Sequence, residues 1–270
     1  MQLSLDHITV TDTTPSQLAD LAAMTGCSGI CPFLRSMDVL PAMPAYDLVT
    51  DKAERQATKA ALAAGGLTVD LVYPFTMAGR TVVADFEPSL EAVADLGGTL
   101  ANVLCYDRDP LRRVERLDEL AGLAAGYGVA LAIEFYPPAQ VRTLAEVMAT
   151  IESTGRTDIG VTLDLLHVMR GGAAEESTVL LADPRICIAQ LSDGPATIAA
   201  ERIEWEAGIQ RLLPGDGTFD IPGFLRALRP GVPVSVEAPQ QAGLEAGVSS
   251  LDRARRAVEA TRRCREPLAT

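Results

Sequence analysis

The sequence predicts one α/β domain folded as a single (β/α)8 TIM barrel. Short, almost wholly apolar segments alternate eight times with helical segments along the 270 residues. Eight such units in about 250 residues is the usual size of this barrel. The competing architecture is an open doubly wound sheet, but the segment after the first strand, Val10-Thr-Asp-Thr-Thr-Pro15, is not the glycine-rich phosphate loop that such a sheet usually carries. No linker or low-complexity tract divides the chain, so we expect residues 1–270 to form one domain.

Eight apolar runs are the predicted strands. Most are short and nearly all apolar, as expected when helices cover both faces of a parallel sheet. In chain order the predicted strands are residues 3–10, 29–33, 68–74, 100–106, 130–135, 160–165, 186–191 and 232–237.

Helix start and stop signals fall between these runs. Thr14 followed by Pro15 is a good helix start, because Thr caps free N–H groups and Pro fits the first helical turn. Thr143 and Glu146 have the spacing of a capping box. Double glycines after two of the segments suit helix C-terminal caps. Besides the helices that start at Thr14 and Thr143, helices are predicted at residues 54–64, 88–96, 110–127, 177–182, 222–228 and 251–263.

Composition and charge exclude several classes of function. The net charge of −13 argues against a nucleic-acid backbone as partner, and we expect the arginine-rich last helix to be a solvated face with ion pairs to the acidic body. The apolar runs are far shorter than the roughly 20 residues of a membrane span, and no secretory signal is visible. Five cysteines, an odd number, fit reduced thiols. These features predict a cytoplasmic protein with neither a membrane nor a nucleic-acid partner.

Four of the later strands end in a side chain that can bind a metal ion: Glu134, Asp164, Gln190 and Glu237. The carboxyl ends of barrel strands open onto one face, so these side chains are expected to converge. Three carboxylates and an amide oxygen favour Mg²⁺ or Mn²⁺ over zinc, and a divalent cation would offset the repulsion among the carboxylates. For any one carboxylate, the alternative is that it caps the following helix. We predict one divalent metal ion at the barrel mouth.

Five short motifs follow one another in the second half of the chain. They are Ile133-Glu-Phe-Tyr-Pro137, Leu163-Asp-Leu-Leu-His167, Ala189-Gln-Leu-Ser-Asp193, Arg211-Leu-Leu-Pro-Gly-Asp-Gly217 and Ser235-Val-Glu237. Their order and spacing, over roughly residues 130–240, resemble the xylose isomerase-like superfamily and most of all its sugar phosphate isomerase/epimerase branch. In that family a glutamate, an aspartate, a histidine and a second glutamate hold a divalent metal. The resemblance assigns these roles to Glu134, Asp164, Gln190 and Glu237, and the glutamine, where many members carry histidine, disfavours tight zinc or cobalt binding.

The resemblance implies proton chemistry next to a carbonyl group. Glu134 and Glu237 would be the catalytic pair of an isomerase or epimerase that acts on a ketose or related polyhydroxy carbonyl compound through a metal-stabilised enediolate. General physics agrees, because a metal ion polarises a carbonyl and two carboxylates with different pKa values can remove and return a proton. Two alternatives remain open: a lyase or dehydratase that expels a β-leaving group, and a non-catalytic sugar-binding barrel. The sequence leaves a homo-oligomer open.

Two further side chains are candidate substrate ligands. His167, three residues after the strand-end aspartate, matches a histidine that contacts substrate in the family, and a structural role is the alternative. Arg211 is expected to face the mouth, where a guanidinium grips a hydroxyl, carboxylate or phosphate. The alternative for this arginine is a surface ion pair with Asp216 or Glu206. Asp193 is expected to hold its loop or to orient Arg211.

Overall fold

Nine parallel strands form one nearly closed barrel in residues 2–171 and 180–264, which are the part of the chain that the computed structural model describes. Each strand pairs in parallel with its neighbours, in the order β3-β2-β1-β9-β8-β7-β6-β5-β4. The predicted TIM barrel is confirmed. The strands are β1 Leu3–Asp6, β2 Gly29–Cys31, β3 Thr68–Val69, β4 Val72–Met77, β5 Leu100–Cys105, β6 Ala130–Glu134, β7 Ile159–Asp164, β8 Ile186–Leu191 and β9 Val234–Val236.

The ninth strand arises because the predicted third strand, residues 68–74, is divided. Its first part, β3, pairs with β2, and its second part, β4, pairs with β5. An isolated parallel bridge between Phe33 and Tyr73 joins the two sides. Pro32 and Pro74 have no N–H group to donate at this place, which accounts for the interruption of the ladder. The barrel therefore has eight βα units, as predicted, with one wall strand in two pieces.

The prediction of a first strand over residues 3–10 is wrong for its second half. The strand ends at Asp6, and His7–Val10 forms a turn of 3₁₀ helix. The carboxylate of Asp6 accepts a hydrogen bond from the backbone N–H of Ile8 at 3.2 Å, which caps this turn. An apolar run alone does not distinguish a strand from such a turn.

Helices follow the strands on the outside of the barrel, and the predicted cap at Thr14 is confirmed as a complete capping box. At Thr143 the box is incomplete, because the carboxylate of Glu146 accepts from the N–H of Arg142 instead. The helices are α1 Pro15–Thr25, α2 Lys52–Gly65, α3 Glu87–Asp95, α4 Pro110–Ala125, α5 Leu144–Thr154, α6 Leu165–Arg170, α7 Ile203–Gly208, α8 Ile221–Ala227, α9 Gln241–Glu245 and α10 Ser250–Arg263.

Three of these helices, α6, α7 and α9, are short pieces in the loops that follow β7, β8 and β9, and the sequence did not predict them. The helix predicted at residues 177–182 lies partly outside the described residues, and Leu180–Ala182 is a 3₁₀ turn. No helix in the described part of the chain has the length and apolar character needed to cross a membrane.

The last helix has the predicted exposed arginines and an ion pair to the acidic body, but one of its arginines is not solvated. Arg253 in α10 is buried, with 2% of its surface exposed. Its guanidinium forms an ion pair with Asp12, in the loop after β1, and donates to the backbone oxygen of Val248 at 2.8 Å. The C-terminal helix is thereby fastened to the start of the barrel.

Candidate functional site

Three ligand-type side chains meet at the carboxyl ends of β6 and β7. Glu134 is the last residue of β6, Asp164 the last residue of β7, and His167 lies in α6 directly after it. The Nε2 atom of His167 lies 3.2 Å from Oε1 of Glu134 and 3.2 Å from Oδ2 of Asp164. All three are buried, and one ligand atom of each lies within 4.8 Å of the others. We call these three residues the acid–histidine cluster.

Asp164 caps the following helix, which is the alternative that the sequence left open, and its second oxygen still faces the mouth. One carboxylate oxygen accepts from the N–H of Leu166 at 2.8 Å and caps α6. The other oxygen faces His167 and accepts from Arg211 at 2.8 Å. Capping therefore fixes the direction of this carboxylate and leaves one oxygen for the mouth of the barrel.

Arg211 lies inside the mouth, and its predicted alternative of a surface ion pair is wrong. Its Nη1 atom is 2.8 Å from Oδ2 of Asp164 and 3.3 Å from Oε2 of Glu237. Its Nε atom donates to the backbone oxygen of Ala207 at 2.9 Å. Glu206, one of the proposed surface partners, pairs with Arg170 instead. The guanidinium thus joins the acid–histidine cluster to the end of β9.

Gln190 turns toward the opposite side of the barrel interior. Its Nε2 atom lies 2.5 Å from the hydroxyl of Tyr73 and 3.5 Å from Oδ2 of Asp6, and that hydroxyl donates to Asp6 at 2.6 Å. Its Oε1 atom is buried and has no hydrogen-bond partner within the described residues. An unpaired buried acceptor costs free energy, so this oxygen is available to a ligand.

Four side chains hydrogen-bonded to the candidate site residues or to one another were missed by the sequence argument. Asp6 ends β1 on the same face of the barrel, so the strand-end rule that found the other acidic residues also applies to it. Tyr73, Asn102 and Thr162 lie within strands and carry no such signal. The Nδ2 group of Asn102 donates a hydrogen bond to Oε2 of Glu134, and its Oδ1 atom accepts one from the hydroxyl of Thr162 at 2.7 Å. These two hydrogen bonds orient the carboxylate of Glu134.

Burial and close charges separate the pKa values of the acidic groups. For Asp164, burial acts to raise the pKa, but Arg211 and His167 outweigh it and the pKa is lowered. For Glu237, burial raises the pKa well above its ordinary value, and nearby carboxylates add to this while Arg211 opposes it. Burial likewise raises the pKa of Asp6 to about 7, against the hydrogen bond from Tyr73. Two carboxyl groups with such different proton affinities suit acid–base chemistry.

The residues at this mouth fit a divalent cation. With every group ionised, three carboxylates (Glu134, Asp164 and Glu237) against one guanidinium leave a formal charge of −3 + 1 = −2 in a buried site. Such an excess is costly without a counter-ion. The donor atoms of the acid–histidine cluster are close enough together for one ion. The cluster contains an imidazole nitrogen, so its donors are not oxygen alone.

Two other polar residues have structural roles. Asp193 accepts hydrogen bonds from the N–H groups of Gly194, Gly215 and Phe219, at 2.8 to 3.1 Å, and so holds its loop. His7 is fully buried, and its Nε2 atom is 2.9 Å from the backbone oxygen of Thr13. Burial lowers the pKa of His7 to about 4, so the ring is neutral near pH 7.

An open cavity lies over the site. It has a volume of about 970 Å³, including its open mouth. Glu134, His167, Arg211 and Glu237 contribute its charged lining, and much of the rest is apolar or aromatic. A concave, largely apolar pocket with a few converging polar groups is the usual form of a small-molecule site.

A pocket at the carboxyl face of a (β/α)8 barrel, lined by side chains that fit a metal ion, is typical of TIM-barrel enzymes. The chain belongs to the xylose isomerase-like TIM barrel family, whose sequence model matches residues 19–264. The chain is similar to the inosose isomerase of Bacillus velezensis, with 27% identity over 160 residues, which are 56% of this chain and 56% of that protein. It thus spans about half the length of the curated relatives that it matches.

Solved structures share the fold over nearly the whole chain. The zinc-bound IolI protein has a TM-score of 0.76 at 20% identity, with 99% of this chain and 98% of that chain covered. The probable 3-DHS dehydratase AsbF of Bacillus anthracis has a TM-score of 0.74 at 14% identity, with 96% and 98% covered. At these identities the likeness concerns the fold alone.

Proposed function

We propose that this protein is a divalent-metal-dependent isomerase or epimerase of a ketose or related polyhydroxy carbonyl compound. The observation that carries the proposal is the acid–histidine cluster, joined by Arg211 to Glu237 at the barrel mouth. The partial similarity to an inosose isomerase supports the same reaction class. The zinc atom bound by the IolI protein supports a divalent ion, and the choice of Mn²⁺ or Mg²⁺ here rests on the carboxylate and amide oxygens.

Glu134, Asp164, Gln190 and Glu237 would hold the ion, with His167 close enough to bind either the ion or the substrate. When bound, a divalent ion polarises a carbonyl group and stabilises the negative charge that develops on an enediolate. Asn102 fixes the orientation of Glu134. The ligand shell would therefore be held by hydrogen bonds from within the barrel wall.

Glu134 and Glu237 would move the proton. They stand at the ends of β6 and β9, which are separated in the barrel by two strands, so they approach a substrate from different sides. One carboxylate removes the proton next to the carbonyl, and the other carboxyl group returns a proton to the neighbouring position or to the opposite face. Arg211 and His167 would hold substrate oxygen atoms, since both carry N–H donors into the cavity.

The lyase alternative uses the same first step but loses a β-substituent instead of regaining the proton. Incorporation of solvent deuterium into recovered substrate, without release of water or another leaving group, distinguishes the isomerase from the lyase. A non-catalytic barrel would show neither reaction and would not need an ion.

The test compares wild-type protein with Glu237→Gln, which keeps the size of the side chain and removes its charge. We expect Mn²⁺ binding by calorimetry and deuterium exchange into inosose or D-fructose for the wild type. In the variant we expect exchange to fall at least about 100-fold, because an acid–base group is lost, and Mn²⁺ affinity to fall with it. Glu245→Gln, an acidic residue away from the cavity lining, is the matched control.

Two results would count against the proposal. Wild-type protein that binds no divalent ion on titration would remove the metal site. Exchange that is unchanged in Glu237→Gln would remove this glutamate from the mechanism.

A further inference from the structure

The cavity over the site has two unlike sides. The charged side chains of the acid–histidine cluster come from the ends of β6 and β7. Five of the apolar lining residues come from the segments that follow β1 and β2, which lie across the barrel according to the strand order. We call this second side the apolar wall; it consists of Ile8, Phe33, Met37, Val39 and Leu40.

The apolar wall is accessible in the part nearest the opening. Val39 is 72% exposed, and Met37 is half-buried. Below them, the ring of Phe33 stacks on Tyr73 with centroids 5.0 Å apart. Val39 and Met37 adjoin buried apolar residues in the same cavity lining, and a contiguous apolar patch marks a binding surface, whereas a single exposed residue does not. The wall therefore offers apolar contact to whatever enters the cavity.

A free polyhydroxy compound is a poor match for such a wall. Nearly every carbon of a sugar carries a hydroxyl group, and a hydroxyl group buried without a partner is costly. An apolar group on the same wall is favoured instead, because its burial removes apolar surface from water. The space in the cavity that a water molecule can reach is about 330 Å³, at the lower end of the roughly 300–1,000 Å³ that is usual for small-molecule sites.

We propose that the substrate carries an aryl or branched alkyl group beside its polyhydroxy carbonyl part, and that this group packs on the apolar wall. The proposal rests on the proposed function, because it assumes that the reacting part of the substrate lies at the acid–histidine cluster. Tyr73 lies between the two parts of the site, with its hydroxyl bonded to Asp6 and its ring against Phe33.

Two chelating probes test this assignment. Acetohydroxamate and benzohydroxamate share one metal-binding group and differ by a methyl against a phenyl group. Their dissociation constants are measured by calorimetry with Mn²⁺-loaded protein and again in EDTA. We expect benzohydroxamate to bind about tenfold more tightly or better, because its ring is buried on the wall.

Variants separate the wall from the metal site. Val39→Ser changes an exposed side chain, so folding is not at risk, and we expect it to reduce the benzohydroxamate preference while acetohydroxamate binding stays the same. Phe33→Ala should reduce the preference further. Met24→Ser is the control, since Met24 is 62% exposed at the end of α1, far from the cavity lining. Comparing each variant with the wild type cancels any intrinsic difference between the probes.

The outcomes are distinct. A phenyl preference that persists in EDTA, in protein that binds no Mn²⁺, would support the apolar wall and overturn the proposed metal site. Equal binding of the two probes, or a preference that both wall variants leave unchanged, would overturn the present proposal and leave the metal site standing. Self-association that Val39→Ser abolishes would show that a second copy covers the wall, which also overturns the proposal.

Discussion

Gln190 has a buried side-chain oxygen atom with no hydrogen-bond partner among the described residues. Its amide nitrogen is occupied by Tyr73 and Asp6, so the side chain is held with the oxygen free. An amide oxygen is a hard ligand that suits Mn²⁺ or Mg²⁺, whereas imidazole suits zinc better. Gln190 is therefore a candidate determinant of which metal ion the site binds.

We predict that Gln190→His increases the affinity for Zn²⁺ about tenfold or more relative to Mn²⁺, because an imidazole replaces the amide oxygen. Competition between the two ions, followed by elemental analysis of the protein, measures this ratio. Gln240→His, a glutamine away from the acid–histidine cluster, is the control. An unchanged ratio would show that Gln190 does not contact the ion.

Asp6 and His7 are adjacent and buried but have opposite pKa shifts. Burial raises the pKa of Asp6 to about 7, so the native state keeps a proton that the unfolded chain releases, and its contribution to stability grows as the pH falls from 7 toward 4. Burial lowers the pKa of His7 to about 4, so the unfolded chain takes up a proton first, and its contribution falls between pH 6.5 and 4. In wild-type protein the two effects oppose each other.

We predict that the two substitutions change the pH dependence of stability in opposite directions. Between pH 7 and pH 4, Asp6→Asn should lose more stability than the wild type, and His7→Gln should lose less, each by roughly 3 kcal/mol. Urea unfolding in EDTA at several pH values measures these differences. Parallel pH profiles for the three proteins would contradict the assignment.

At this scale the sequence was informative where strands end and at the motif residues His167 and Arg211 that follow them. Glu134, Asp164 and Glu237 could be found because a polar residue after an apolar run is visible in one sequence. Tyr73 and Asn102 could not, because their hydrogen bonds join strands that are far apart in the chain. That Arg211 lies between two carboxylates likewise depends on the packing of three loops.

Among the elements, the loop after β8 depends most on one side chain. The carboxylate of Asp193 accepts hydrogen bonds from three backbone N–H groups. The backbone of Asp193 pairs with that of Leu212, which is next to Arg211. The residue is 1% exposed. Its removal would leave buried donors without a partner and would loosen the segment that positions the guanidinium.

We predict that Asp193→Ala lowers the free energy of unfolding by about 3 kcal/mol, since unsatisfied buried donors are costly. Asp216→Ala, an exposed position in the same loop, should change it by less than about 0.5 kcal/mol. Denaturant titration of both variants tests this. Equal stability of the two variants would mean that the loop does not depend on Asp193.

The ends of the helices and strands depend on local hydrogen bonds, and only some of these can be recognised in a single sequence. The cap at Thr14 was predictable because its partners are three residues away. The end of β1 at Asp6 was not, since Asp6 interrupts an apolar run that reads as continuous. The short helices after β7, β8 and β9 contain too few residues to give a helical period.

For the whole molecule, the ion pair between Arg253 and Asp12 connects the last helix to the first βα unit. Asp12 is partly exposed, at 26% of its side chain, so the pair is worth less than a fully buried one. The guanidinium also donates to a backbone oxygen, and the alkyl stem is buried. The closure of the barrel therefore relies on one arginine in both polar and apolar contacts.

We predict that Arg253→Ala lowers the free energy of unfolding by about 2 kcal/mol through lost packing and lost hydrogen bonds. Arg255→Ala should have almost no effect, because Arg255 and its partner Asp252 are both about half exposed. Thermal and denaturant unfolding compare the two. A result in which both variants behave alike would contradict a special role for Arg253.

The barrel itself was the most predictable feature, because eight repeated units leave a strong signal even when each segment is ambiguous. The division of the third strand was not predictable. It depends on which neighbouring strand each half pairs with, β2 or β5, and this is not a local property of the segment.

This division makes the wall of the barrel uneven. Within the described residues, β3 is hydrogen-bonded to β2, whereas β4 is hydrogen-bonded to β5. The bridge between Phe33 and Tyr73 spans the joint between these two pairs. Tyr73 also ties Asp6 to the amide of Gln190. A small separation of the wall at this joint would move that amide directly, so one tyrosine couples the divided strand to the position of a candidate metal ligand.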